Sequence, residues 1–293
     1  MGLFARGGTL PVLLTSSMGI AALLVAVYVD PVMHLVTLTG VLTLMLSAFL
    51  ANFFRDPDRP IPKDEGVLVS PADGHVMFVT REMANGRRPS KEELSSGDCE
   101  EDPLTGTWYP EALAEPLTFE NEQRWSKVDK GEESSNDVWR IAIFMSPLDV
   151  HVNRVPEAGK IVRMEHRTGK GKRRGPFLPA FKKESEFNER VRTVLECATS
   201  SKSTGKMRVE VTQIAGALAR TIVPWSGEGD IMRRGQRYGM IRVGSRVDLR
   251  VPADKFEPQV IGADSMNPDF PKGQFVNAGS TILFHSTGVS EEE

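Results

Sequence analysis

Gly244-Ser245 sits in the stretch GQRYGMIRVGSRVDLRVP (235–252), where two short apolar runs, Tyr238–Val243 and Val247–Val251, meet. A glycine beside a serine at such a join has two readings. It can be a turn or bulge, because glycine tolerates backbone angles that other residues avoid. It can also be a peptide bond that the chain cuts in itself. In that chemistry the serine hydroxyl attacks the glycine carbonyl, which the missing side chain leaves open, while a base takes the proton. Groups able to move protons occur in two other stretches. Asp73 lies in the turn Pro71-Ala72-Asp73-Gly74, and His75 would share its face on an extended strand. Asp149, His151, Asn153 and Arg154 cluster in SPLDVHVNRVP (146–156), where a carboxylate two residues before the histidine could orient its ring and raise its basicity. Ser245, His151 and Asp73 are also the residue types of a serine-hydrolase triad without self-cleavage, and that alternative stays open here.

The elements around these residues read as strands. Gly66–Val79 holds two β-rich runs about the Asp73 turn, Val138–Met145 is apolar enough to be a central strand, and Val191–Leu195 and Met207–Ile214 alternate. Gly273–His285, after a Pro/Asp/Gly-rich loop, contains a second Gly-Ser pair, Gly279-Ser280. Short strands at close spacing with glycine turns predict a mainly β domain, a barrel or a sandwich.

Ahead of that domain lie two uncharged runs, Thr9–Val29 and Val32–Phe54, each long enough to cross a bilayer as a helix and separated by Asp30-Pro31. They predict a transmembrane helical hairpin over residues 1–54; a second apolar run directly after the first argues against a cleaved signal peptide. Arg6 before the pair and Arg55, Arg59 and Lys63 after it put both ends, and residues 55–293, on the cytoplasmic face of the cell membrane. RDPDRPIP after Phe54 is a proline-rich linker.

The formal charge of −3 hides an asymmetry: residues 82–135 hold 14 Asp/Glu against 6 Lys/Arg, a local −8 that leaves +5 elsewhere. That acidic stretch reads as an inserted loop, with Leu113–Phe119 as a short ordered piece. The basic stretch Gly159–Lys183 reads as a solvated loop or as a surface held to anionic lipid. It lacks the interleaved aromatics that stack bases, which argues against a nucleic-acid partner. Two distant cysteines, Cys99 and Cys197, argue against a disulfide framework and a zinc site, and no metal is expected.

Four stretches in order, FFRDPDRPIP, SPADG, FMSPLDVHVNRVP and GQRYGMIRVGSRVDLRVP, resemble the phosphatidylserine decarboxylase family in its shorter bacterial and archaeal form. The resemblance covers residues 52–293 apart from the acidic insert. It implies a chain that cuts itself at 244/245 into a β chain, 1–244, and an α chain, 245–293. Ser245 would become a covalent pyruvoyl cofactor that forms a Schiff base with the serine headgroup and turns phosphatidylserine into phosphatidylethanolamine. The family places basic and glycine residues before the cut, as Gly235, Arg237 and Gly239 stand here, so the resemblance selects Ser245 over Ser280 and gives Gly279 a turn. It carries Asp73 over as the aspartate of the self-cleavage relay and His151 as the first histidine of a His-x-x-His. Arg154 stands where the second histidine is expected, which leaves His151 to serve both steps with Asp149 and Asp73, and Arg154 with Asn153 to bind the substrate. The closing hairpin also resembles biotinyl or lipoyl carriers, which would make the protein a non-catalytic membrane-tethered domain, but Asn277 and Ala278 stand at its tip in place of a lysine. The β and α chains and membrane phospholipid are the implied partners, and a homo-oligomer is compatible with all of this.

Overall fold

Two uninterrupted apolar runs give two helices, α1 (Thr9–Ala26) and α2 (Met33–Phe53). The computed structural model describes residues 4–27, 33–83, 113, 115, 117, 137–168, 180, 185, 188–198, 205–216, 221–242, 244–262 and 273–287. The chain divides into two compact units, Met1–Asp58 with Pro147–His151, and Arg59–Ser146 with Val152–Glu293. The division falls at Asp58 rather than Phe54, and it gathers a short loop from far along the chain into the helical unit.

Within the helical unit, α1 and α2 run antiparallel. Ser16 and Ser47 share a 2.6 Å hydroxyl hydrogen bond. A side chain at Gly19 would meet Leu44, and one at Gly40 would meet Leu23. Small residues and a shared hydroxyl bond are how helices approach closely without a hydrophobic driving force between them. The outward faces carry Leu10, Leu14, Met18, Leu24, Leu38 and Met45, all exposed. Both helices are long and apolar enough to cross a membrane.

The second unit is built from strands β1 (Val67–Val69), β2 (Gly74–Met83), β3 (Asp137–Met145), β4 (Val152–Arg154), β5 (Gly159–Thr168), β6 (Glu189–Ala198) and β7 (Lys206–Ala215). These are followed by β8 (Ile222–Pro224), β9 (Ile231–Met232), β10 (Arg237–Ile241), β11 (Ser245–Pro252), β12 (Phe256–Pro258), β13 (Phe275–Val276) and β14 (Ile282–Ser286). The mainly β expectation therefore holds. The largest sheet has eight strands in the order β13-β2-β3-β11-β7-β6-β5-β9, and two three-stranded sheets, β4-β10-β8 and β1-β14-β12, accompany it. β11 lies near the middle of the large sheet, antiparallel to β3 on one side and to β7 on the other.

Alternation along β11 decides which side chains meet the main core. Val247, Leu249 and Val251 join Ile141, Ile143, Val209 and Val211 in the apolar cluster. Arg246, Asp248 and Arg250 point to the opposite face and are buried too. Two residues assigned by sequence to the acidic insert, Glu82 and Met83, lie in β2. Of the remainder, Leu113 and Leu117 are buried with Val138, and the carbonyl of Leu117 accepts a 2.8 Å hydrogen bond from the Arg208 amide, so part of the expected Leu113–Phe119 piece rests on the sheet. In the basic stretch, Arg163 and Arg167 lie in β5 and pair with Glu165, and Arg163 also reaches Glu115. Residues 169–183, Ala180 excepted, are outside the described residues, as is Cys99.

Candidate active site

The two apolar runs that meet at Gly244-Ser245 do not form a hairpin with each other. β10 belongs to the small sheet with β4 and β8, whereas β11 belongs to the large one, so the chain crosses between sheets at this step. Gly244 takes a left-handed φ of 62°, and a side chain there would meet open space. Glycine is required at 244 by conformation. Gly216, just after β7, shows the converse. Its φ is outside the left-handed region, but a Cβ would overlap the Gly244 carbonyl oxygen and come within 2.8 Å of the carbonyl carbon. Glycine is required at 216 by space, and the atom that needs the space is the carbonyl a self-cut would attack.

Ser245 opens β11 and is fully buried, paired with Met145 on β3 and Ala215 on β7. Its Oγ donates to Met145 Sδ at 3.3 Å, a weak acceptor that also lies 3.8 Å from Asn153 Nδ2. Asn153 Oδ1 in turn accepts from Gln213 Nε2 at 2.8 Å, and both side chains are fully buried. Gln213 did not stand out by motif. The signal was its polarity at an inward position of the alternating run MRVEVTQIA, on the face that carries Val209 and Val211.

Asp73 is held from two directions. Arg59 grips both carboxylate oxygens with its two terminal nitrogens, at 2.6 Å for the Oδ2 contact, and the Ala278 amide donates to Oδ1 at 2.8 Å. This side chain therefore joins the linker, the SPADG turn and the β13–β14 turn. Arg59 was visible only as a charge after the apolar runs. His75 lies on β2, its ring edge-on to Phe275 at 5.1 Å. Gly279 has φ 79°, its amide donates to Ser70 O at 2.7 Å, and the amides of Ser280 and Thr281 both donate to Asn277 O. Gly279-Ser280 is thus part of a hydrogen-bonded turn. Arg154 is buried against Gly279, donating from Nη1 to Gly235 O at 3.2 Å and from its amide to Pro71 O at 2.9 Å. Asn153 and Arg154, the candidates for the substrate, both carry side-chain bonds within the protein.

In the helical unit, His151 is fully buried and Asp149 partly so. The ring Nδ1 lies 2.9 Å from the main-chain oxygen of Asp149. A carbonyl oxygen only accepts, so Nδ1 carries the hydrogen and the Nε2 of the neutral ring holds the lone pair. The sequence suggested the Asp149 carboxylate for this orienting bond; the backbone of the same residue makes it.

The far face of the large sheet carries a row of buried ion pairs. Arg140 on β3 reaches Glu82 on β2 at 2.8 Å and Asp248 on β11. Arg246 holds Asp248 at 2.6 Å. Arg250 bridges Glu82 at 3.0 Å and Glu210 on β7 at 2.8 Å, and Arg192 on β6 meets Glu210 at 3.0 Å. Phe78 lies under the guanidinium groups of Arg140 and Arg246, 5.5 and 5.1 Å from its centroid. Burial pushes the Asp248 carboxyl up, but Arg140 and then Arg246 outweigh it, and the group is held down at about 2.

A buried serine at the head of a central strand and a carboxylate gripped by an arginine lie in a mainly β domain that follows two apolar helices in the chain. The family model for phosphatidylserine decarboxylase matches residues 46–284, and the chain belongs to that family. It is 39% identical over 241 residues to a phosphatidylserine decarboxylase proenzyme of Erythrobacter litoralis, covering 80% of this chain and 74% of that one. A proenzyme of the same name from Nitratidesulfovibrio vulgaris is 34% identical over 244 residues, 83% of this chain and 81% of the other. A putative archaetidylserine decarboxylase proenzyme of Methanothermobacter thermautotrophicus is 34% identical over 232 residues, 79% and 83% of the two chains.

Proposed function

We propose that this chain is a self-processing phosphatidylserine decarboxylase, anchored in the inner membrane by α1 and α2 with its β domain on the cytoplasmic face. The observation that carries the reading is the Gly244-Ser245 step, a left-handed glycine whose carbonyl lies against Gly216, followed by a buried serine. Ser245 Oγ attacks the Gly244 carbonyl carbon while a base takes the hydroxyl proton. The C–N bond then breaks, its nitrogen gains a proton, and an ester joins Gly244 to the Ser245 side chain. Loss of the Cα proton of residue 245 expels Gly244 as a carboxylate and leaves dehydroalanine. Addition of water and loss of ammonia convert this to a pyruvoyl group.

Residue 245 fits such a group. It starts a strand held on both sides, so a ketone formed there stays fixed when the chain upstream is released. The pyruvoyl group supplies an electron sink for the bond to the departing carboxylate of the serine headgroup. The thioether of Met145 cannot take the hydroxyl proton, so a titratable side chain must. We assign that to His151 Nε2, which also holds the proton that the product carbon receives after CO₂ leaves. Asp149 fixes the tautomer, and Asp73, tied to Arg59, shapes the turn beside β3. Asn153 and Arg154 serve as scaffold through their internal bonds.

Intact mass of the purified chain tests the reading. Species matching 1–244 and 245–293, the second blocked at its amino terminus, are expected in active protein. A single species at 32.3 kDa with full activity would end it, and a single species without decarboxylation would favour a hydrolase or a non-catalytic domain. Ser245→Ala abolishes the cut and Ser280→Ala does not. Assay of diacyl and ether-linked phosphoserine lipids side by side separates the substrates named for the bacterial and archaeal relatives.

A further inference from the structure

We infer that the end of helix α2 is part of the catalytic apparatus, with Phe53, supported by Arg55 and Asn52, positioning the imidazole of His151. This rests on the reading of His151 as the acid–base group. The loop Pro147–His151 belongs to the helical unit even though the residues flanking it in the chain belong to the β unit. Two bonds tie its backbone to the helix end: Arg55 Nη2 donates to Leu148 O at 2.8 Å and Asn52 Nδ2 at 3.4 Å. Arg55 is itself fixed by Nη1 bonds to the carbonyl and side-chain oxygens of Asn52, 2.8 and 2.6 Å away.

The ring of His151 then meets the ring of Phe53 at 4.4 Å, tilted by 40°. Phe53 is buried and held in turn by Phe54 edge-on at 5.2 Å and by Phe49 at 6.2 Å. Nδ1 is locked by the Asp149 carbonyl and one ring face by Phe53, so the direction of Nε2 is set by these contacts. A histidine on a connecting loop would otherwise sample several rotamers, each carrying Nε2 ångströms away. The tip of the same loop, Leu148, is 64% exposed beside the apolar helices, a side chain suited to the lipid surface where the headgroup lies. The anchor thus does more than raise the local concentration of lipid; its last turn aims the proton-transfer group.

The test uses the full-length chain in detergent. Phe53→Ala, Phe53→Tyr and Arg55→Gln are compared with His151→Ala for extent of self-cut by intact mass, kcat and KM on phosphatidylserine across pH, and co-sedimentation with phosphatidylserine vesicles. His151→Ala identifies the step that the histidine serves. Phe53→Ala is expected to slow that same step about 10- to 100-fold, the scale of an ångström's misplacement, and to move the limb of the pH–rate profile that His151→Ala removes. Phe53→Tyr restores the rate, and vesicle binding is unchanged throughout. If Phe53→Ala does not fold, Arg55→Gln carries the test with a smaller fall in kcat. Wild-type kcat in the folded variants, or a loss confined to KM and vesicle binding, overturns the inference. A His151→Ala enzyme with full cutting and turnover would overturn the role of His151 itself.

Discussion

Replacing Asp248 by asparagine removes one negative charge from the buried row and keeps the side-chain volume. Arg140 and Arg246 would then lie against a neutral amide, each inside the protein. Breaking a buried pair by removing one partner costs about 3–5 kcal/mol, because the remaining charge stays desolvated. For a domain of this size that corresponds to a fall in melting temperature of roughly 6–20 °C. The measurement is best made in a Ser245→Ala background, where no cut complicates the transition, by tryptophan fluorescence during thermal and urea unfolding. The pH dependence gives a second, independent readout. The folded carboxyl is held at about 2 against an ordinary 3.8. A depressed folded value means that the stabilisation, about 2 kcal/mol by linkage, is complete above pH 3.8 and is lost as pH falls towards 2. The asparagine variant should lack that component of acid destabilisation. A variant within 1 kcal/mol of its parent, or one with the same acid slope between pH 4 and pH 2, would refute the argument that this row holds β11 in place.

Other outcomes follow from the same geometry. Gly216→Ala should accumulate as uncut precursor on a denaturing gel while its near-ultraviolet circular dichroism stays native, because the added Cβ displaces the Gly244 carbonyl. Arg59→Ala, which frees Asp73 from its two-pronged partner, should slow self-cutting, and Arg59→Lys should not restore it, since an ammonium lacks the fork; a time course of fragment appearance decides. Gly279→Ala, at φ 79° and hard against Arg154, should lower stability by about 1–3 kcal/mol and leave the cut at 244/245, readable by thermal melting and fragment mass.

Much of this molecule was legible from single stretches of sequence. Uncharged runs of helical length gave α1 and α2, apolar runs gave β3 and β11, and alternation gave β6 and β7, because burial on one face leaves a period that a short window records. What escaped was whatever depends on partners distant in the chain. Arg246, Asp248 and Arg250 alternate with valine and leucine and look like a solvated face. They are buried because Glu82, Arg140 and Glu210 from three other strands neutralise them, a match that no window of one strand contains. Arg59 looked like a flanking charge and is a ligand of Asp73. Gly216 carries no motif, and only the tertiary structure shows that the Gly244 carbonyl oxygen fills the place of its missing side chain. His151 and Asp149 were marked by type and spacing, but the loop that carries them goes with α2, which only the tertiary structure reveals.

The place of the Gly244-Ser245 step would let the proposed cut fall beside a central strand and leave the fold in place. A cut within a hairpin would leave both new ends in one ladder, each free to fray. Here β10 and β11 belong to different sheets, so the bond between them contributes connection but no pairing. With the proposed cut, β11 would keep its antiparallel neighbours β3 and β7 on both sides, and β13 and β14 would keep β2 and β1. Asp248 would remain bound to Arg140, and Arg250 to Glu82 and Glu210, so ion pairs would span the two proposed fragments across a buried face. Strand pairing alone would allow β11 to slip by two residues and keep its apolar alternation. A slip of that size would bring Arg246 or Arg250 to the position of Asp248, opposite Ala142 and within reach of the Arg140 guanidinium, so like charges would meet in a buried row. The charges would therefore fix the register of β11, and with it the position of residue 245, when the proposed cut removes the covalent constraint.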